Sequence, residues 1–234
     1  MRIKILGIVM ALAAVAIQAQ KDGDPMNFVG KTVAVFPLYE VAKQLKGAPE
    51  GTSVTFTADS AQYLETDIRS WCELTGNVLV SAVPGQGGTV FTVAKGKPSP
   101  VKKFSLVLSS DGLLEAVSPL GFALAAAESG MEVSLYLQGP GVHLLKRGYE
   151  AKISDPLSSL FSGFARNGLN KIGHLPPQDK LKQMQELGAK IYACGPSLDN
   201  FGVKESEFFL EGITVCEYFT FLLRMREADV QIYQ

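Results

Sequence analysis

Three short apolar stretches, at residues 104–108, 132–137 and 191–193, constrain this chain more than any other feature. Each runs straight into a turn: Ser109-Ser110-Asp111-Gly112, Gly139-Pro140-Gly141 and Gly195-Pro196. Segments of helical spacing lie between them. An apolar run that does not alternate suits a strand covered on both faces. A helix between two such strands makes the connection a crossover, and the strands it joins run parallel. Residues 102–234 are therefore expected to form a parallel sheet with helices on both faces. Helices are expected up to Ser129, where Gly130 stops the first, and over residues 158–168 and 179–187. Residues 203–209 and 215–223 follow, and residues 229–233 can form a last strand.

The part before this sheet reads differently. Residues 33–36 can open as a strand, and Pro37 suits the first turn of a helix, where its missing N–H costs nothing. Leu38, Val41, Ala42 and Leu45 then recur at helical spacing, and Gly47 and Pro49 end the run. Residues 53–57 alternate, with Val54 and Phe56 on one side. Asp59 or Ser60 can cap a second helix that Gly76 closes. Residues 77–83 and 89–93 flank a glycine-rich turn as a hairpin. The order is βαβαββ over residues 27–95, a two-layer α/β sandwich. Residues 96–101 contain two prolines and read as a semi-rigid linker.

Composition removes several classes of function. With 47% hydrophobic and 19% charged residues in 234, a packed core is expected rather than disorder. The 22 basic and 23 acidic side chains leave a net charge of -1, so no global field draws nucleic acid or an anionic membrane. Three cysteines, no CxxC and two distant histidines do not make a zinc site. No dinucleotide, P-loop or zinc-protease motif occurs, so no cofactor and no metal are expected. At the N-terminus, Arg2 and Lys4 precede an apolar run ending near Ala19. Residues 1–20 have the layout of a secretory signal, and an uncleaved membrane anchor is the alternative. A cleaved signal would make the protein secreted or periplasmic; without one it would be cytoplasmic.

The residue to ask about is Cys194. It stands at the carboxyl tip of the third apolar strand, where open α/β sheets gather their chemistry. Gly195 leaves room beside the sulfur, and Ser197 can offer it a hydrogen bond. Ser109, Ser110 and Asp111 follow the first strand and either cap the next helix or belong to the same site. Gly139 is a turn residue and a wall of that site. His143 reads as a solvent-facing imidazole. Cys72, beside Trp71 and Leu74, reads as helix packing. Cys216 lies among Val215, Phe219, Leu222 and Leu223 and reads as core. Whether it can meet Cys194 is a question of geometry.

Two resemblances bear on this. The run Thr57-Ala58-Asp59, Asp67-Ile68, Trp71-Cys72 and Gly76 resembles the second helix of TusA/SirA-type sulfur-carrier domains. That family carries its persulfide on the cysteine of a Cys-Pro dipeptide; here the dipeptide is Phe36-Pro37, which cannot hold one. Ser109 to Gly112, Leu137 to Val142 and Ala193-Cys194-Gly195-Pro196-Ser197 resemble the corresponding loops of DsrE/DsrF-type domains. That likeness implies a flavodoxin-like fold, a homo-oligomer, and a Cys194 that accepts sulfane sulfur from donor proteins and passes it to acceptors. A binding scaffold with an inert Cys194 and a thiol redox sensor using Cys216 are the alternatives.

Overall fold

The computed structural model describes residues 26–155 and 158–234. The expected leader or anchor at residues 1–20 lies outside them. In the first unit, β1 (Met26–Asn27), α1 (Val35–Leu45), β2 (Ser53–Ala58), α2 (Gln62–Thr75), β3 (Val78–Gly85) and β4 (Gly88–Ala94) follow in the expected order. Their sheet runs β1-β2-β4-β3. Leu38, Val41 and Leu45 of α1 and Leu64, Ile68, Trp71 and Cys72 of α2 close on Val54, Phe56, Phe91 and Val93 of the sheet. Phe56 and Phe91 are register partners, and their rings stack 5.5 Å apart.

Two local expectations are corrected. Residues 33–36 are not a strand: Ala34 is already α-helical, and the Leu38 N–H donates to its carbonyl. A four-residue apolar run carries no period that separates helix from strand. The strand role falls instead to Met26 and Asn27, paired parallel with Phe56 and Thr57. The start of α2 is Ala61, without a side-chain cap. Asp59 accepts the Gly30 N–H at 3.0 Å, and Ser60 accepts the Thr89 hydroxyl at 3.1 Å. The expected stop holds: Gly76 has φ 74°, and a Cβ there would sit 1.9 Å from the Lys97 carbonyl oxygen.

The second unit contains β5 (Lys103–Leu108), α3 (Leu113–Glu128), β6 (Glu132–Leu137), a 3-10 helix (Gly139–Leu145), α4 (Ser162–Ile172), α5 (Pro177–Leu187), β7 (Lys190–Cys194), α6 (Gly195–Phe201), β8 (Thr214–Cys216), α7 (Tyr218–Glu227) and β9 (Val230–Tyr233). The sheet order is β8-β7-β6-β5-β9, and every pair is parallel. Leu106, Leu108, Leu135, Leu137, Ile191 and Ala193 pack on the α3 and α5 side. Val107, Tyr136, Tyr192 and Cys194 pack on the other side, against Phe221 of α7. Both faces are covered, which is why these strands read as nearly unbroken apolar runs.

The units share a seam. The Tyr39 hydroxyl donates to the Glu186 carboxylate, Lys31 Nζ reaches the Asn170 carbonyl at 2.8 Å, and the Thr32 N–H reaches that of Ile172 at 3.0 Å. The Trp71 indole N–H donates to the Glu128 carbonyl at 2.9 Å. Burial, and then Glu186, push the Tyr39 phenol up to about 12. Among the described residues no helix is long and apolar enough to cross a membrane.

Candidate functional site

Cys194 is the last residue of β7 and is 2% exposed. Strand alternation places Ala193 on the α3–α5 side and Tyr192 and Cys194 on the α7 side. The chain turns at once into the short α6, with Pro196 in its first turn. Phe221 covers this part of the sheet. Its ring stacks on Tyr136 at 4.9 Å and meets Tyr192 edge-on at 5.3 Å.

The neighbours of Cys194 are unusual for a plain core. Tyr136 is 2% exposed, and among the described residues its hydroxyl has no partner of ordinary hydrogen-bond geometry. Cys194 is nevertheless near enough to act on it. The phenol is pushed up first by burial and next by the Cys194 thiol, with Cys216 and Tyr218 contributing. Cys194 and Cys216 are register partners on β7 and β8. Partners in register point to the same face, and Cys216 packs against the same cluster. Burial raises the Cys216 thiol, and Cys194 raises it further. Cys216 is thus only half-buried core, and it does lie beside Cys194. All three cysteines are free. Cys72 is buried in the first unit, and burial pushes its thiol up to about 11, which makes it a poor nucleophile at neutral pH.

The other expected residues form a second group at the carboxyl ends of the strands. Ser197 accepts the Gly139 N–H at 2.8 Å, tying the loop after β7 to the loop after β6. Ser109 accepts from Gln138 Nε2 at 3.0 Å, and the same nitrogen reaches the Tyr233 hydroxyl at 2.8 Å. Ser110 accepts the Gly112 N–H at 3.1 Å, a local turn at the start of α3. Asp111 caps nothing. Its Oδ2 pairs with His143 Nδ1 at 2.8 Å and accepts the Tyr149 hydroxyl. His143 is therefore not a free surface imidazole: it stacks on Tyr149 at 5.3 Å and meets Phe201 edge-on at 5.4 Å. Gly141 must be glycine, because a Cβ would lie 2.6 Å from the Leu108 carbonyl oxygen. At Gly195 a Cβ would meet only Val215 among the described residues, at 3.5 Å.

The Asp111–His143–Tyr149 group and Cys194 sit on opposite sides of the sheet. The residues flanking His143, Val142, Leu144 and Leu145, belong to the core on the α3–α5 side, whereas Cys194 belongs to the α7 side. The structure therefore groups Ser109, Gln138, Gly139 and Ser197 into one rim, and Asp111, His143 and Tyr149 into a polar triad behind it. Cys194 stands with Tyr136 and Cys216. Sequence reasoning missed Tyr136, whose only signal was a polar hydroxyl inside an apolar strand.

Residues 102–232 match the model of the DsrE/DsrF-like family. The chain belongs to the DsrE/DsrF-like family. Cys194, Cys216 and Tyr136 all lie inside the matched part. An uncharacterized protein of Methanopyrus kandleri is 27% identical over 140 residues, covering 59% of this chain and 98% of that protein. One of Methanocaldococcus jannaschii is 28% identical over 129 residues, covering 54% and 95%. The crystal structure of the YchN protein from E. coli aligns over all of its own length and 57% of this chain, with 15% identity and a TM-score of 0.42.

In this DsrE/DsrF-like unit the Tyr136 hydroxyl is buried with no partner among the described residues, and a donor in that position costs stability because it loses its bonds to water. Tyr136→Phe should raise the unfolding free energy by about 1 kcal/mol in urea titrations.

Proposed function

We propose that this protein is a sulfur relay in which Cys194 accepts sulfane sulfur as a persulfide and hands it on. The observation that carries the reading is the placement of Cys194 at the carboxyl tip of β7, inside the family-matched region and in one cluster with the buried Tyr136 phenol. The Cys194 thiolate attacks the outer sulfur of a donor persulfide; the donor S–S bond breaks, and the donor sulfur leaves with both bonding electrons and takes up the persulfide's proton as a thiol. An acceptor thiolate then attacks the outer sulfur on Cys194, which leaves as thiolate in turn. The Tyr136 O–H is available to hydrogen-bond the anionic sulfur in both steps.

Cys194 is covered by α7, so loading needs that helix to lift. Phe221 and Met225 pack toward the sheet, while Tyr218, Phe219, Leu222 and Leu223 face outward. That outward apolar side supports the association of copies through α7, with α7 shifting as they meet. The first unit, with Phe36 where a TusA/SirA-type carrier has its cysteine, serves to dock donor and acceptor proteins rather than to carry sulfur. Phe36 itself lies in the seam, its Cβ 3.1 Å from where a Cβ on Gly173 would be.

A chain keeping Cys194 as its sole cysteine should take up about one sulfur from glutathione persulfide, released by cyanide as thiocyanate. The same chain with Cys194→Ser should take up none. Equal thiocyanate from both would sink the relay and favour an inert scaffold.

A further inference from the structure

We infer that Cys194 and Cys216 together can discharge the captured sulfur as sulfide. This rests on the persulfide reading of Cys194 and goes beyond it, because it gives the chain a reductive activity toward sulfane sulfur.

Register carries the inference. Cys194 and Cys216 are directly opposite on neighbouring parallel strands, on the same face and against the same cluster. Neighbouring strands lie about 4.8 Å apart, inside the Cα separation of roughly 4.4–6.8 Å that a disulfide needs. A bridge directly across two strands departs from relaxed disulfide geometry, which favours easy reduction and hence turnover over a permanent staple. β8 is the edge strand and only three residues long, so Cys216 can shift toward its partner. The buried Tyr136 hydroxyl belongs to the same cluster as both thiols and has no geometric hydrogen-bond partner among the described residues. Both thiols push its ionisation up, and its O–H can donate to the sulfur that leaves.

The step balances within the chain. The Cys216 sulfur attacks the inner sulfur of the Cys194 persulfide. The S–S bond to the outer sulfur breaks, and that sulfur departs as HS⁻ with both bonding electrons, taking up the proton lost from Cys216. The products are a Cys194–Cys216 disulfide and H₂S: in this step the Cys216 sulfur is oxidised and the outer sulfur reduced, and over loading and discharge together two thiols become a disulfide while one sulfane sulfur becomes sulfide. A dithiol reductant then returns both cysteines to thiols and becomes a disulfide itself. Attack on the outer sulfur instead would move the persulfide to Cys216 and release nothing, so the products tell the two routes apart.

The test uses the full chain, loaded on ice with glutathione persulfide, desalted and warmed. The wild type should release about one sulfide per chain and acquire a Cys194–Cys216 link in peptide maps. Cys216→Ser should keep about 32 Da of added sulfur on Cys194 and release sulfide at least roughly tenfold more slowly. Cys216→Ala should behave likewise, which separates loss of the thiol from a local folding defect. Sulfide release equal in wild type and both variants, or a wild type that holds its sulfur without a cross-link, overturns the inference and leaves the relay standing. Absence of sulfur on Cys194 even in the Cys216 variants overturns the relay, and the inference with it.

Discussion

Trp71→Ala should lower the unfolding free energy by about 3 kcal/mol, the lower part of the range for a buried tryptophan. The ring is 4% exposed and helps close the core of the first unit with Leu45, Ile68 and Cys72. It also reaches into the second unit, where its N–H donates at 2.9 Å to the carbonyl of Glu128, the last residue of α3. The last carbonyls of a helix have no partner within it, so the indole completes α3 from the neighbouring unit. Removing the ring costs packing on one side and leaves a buried carbonyl unsatisfied on the other. Trp71 also borders an open cleft of about 560 Å³ between the units. Water can enter the enlarged space there, which keeps the cost at the low end. Trp71→Phe keeps most of the packing and should cost about 1–2 kcal/mol, mainly the hydrogen bond. Urea unfolding of the two variants checks both numbers. An alanine variant as stable as the wild type would mean that the seam contributes nothing.

Lys180→Met should act in the opposite direction and stabilise the protein at neutral pH by about 2 kcal/mol. Lys180 is fully buried between α5 and α3, and its Nζ donates to the Val117 carbonyl at 2.6 Å. Burial pulls its pKa down from 10.5 to about 8, and only the more distant Glu128 opposes that fall. Glu128 is itself buried, with both carboxyl oxygens unpartnered among the described residues, and burial raises its pKa well above the usual range, so it supplies little counter-charge. For a lysine lowered in this way, both folded and unfolded chains are protonated below pH 8, and the buried-charge penalty is fully present. Between about pH 8 and 10.5 the folded chain has shed this proton while the unfolded chain still holds it. Stability should therefore rise with pH by roughly 1.4 kcal/mol per unit across that window. Methionine fills the same space without charge, so the variant should lose this alkaline rise along with the penalty. A wild type whose stability is flat from pH 8 to 10 would contradict the assignment.

How much of this was readable in advance depends on how local each signal is. The parallel sheet was legible because burial on both faces leaves a local mark, the unbroken apolar run, and because the intervening helices force crossovers. The place of Cys194 followed from the same runs. The pairing of Cys194 with Cys216 was not legible, since β8 has three residues and its register is set by the sheet rather than by its own pattern. Asp111 looked like a cap because local rules favour one there. Its partners, His143 and Tyr149, lie 32 and 38 residues away and win through tertiary contacts. Phe219 and Phe221 are equally apolar, yet the helix turns only Phe221 to the sheet, in step with Met225 one turn on. Residues 33–36 were too few to show a period at all.

The proposed relay stands or falls on the entry of sulfane sulfur at Cys194. The most direct measurement is peptide mapping of all three cysteines after brief exposure of the wild-type chain to isotopically labelled glutathione persulfide, with the thiols trapped by alkylation. The Cys194 peptide should change first, as a labelled persulfide or as a link to Cys216, while Cys72 stays reduced. A Cys194 that remains a plain thiol, with label on Cys72 or on no cysteine, would contradict the relay.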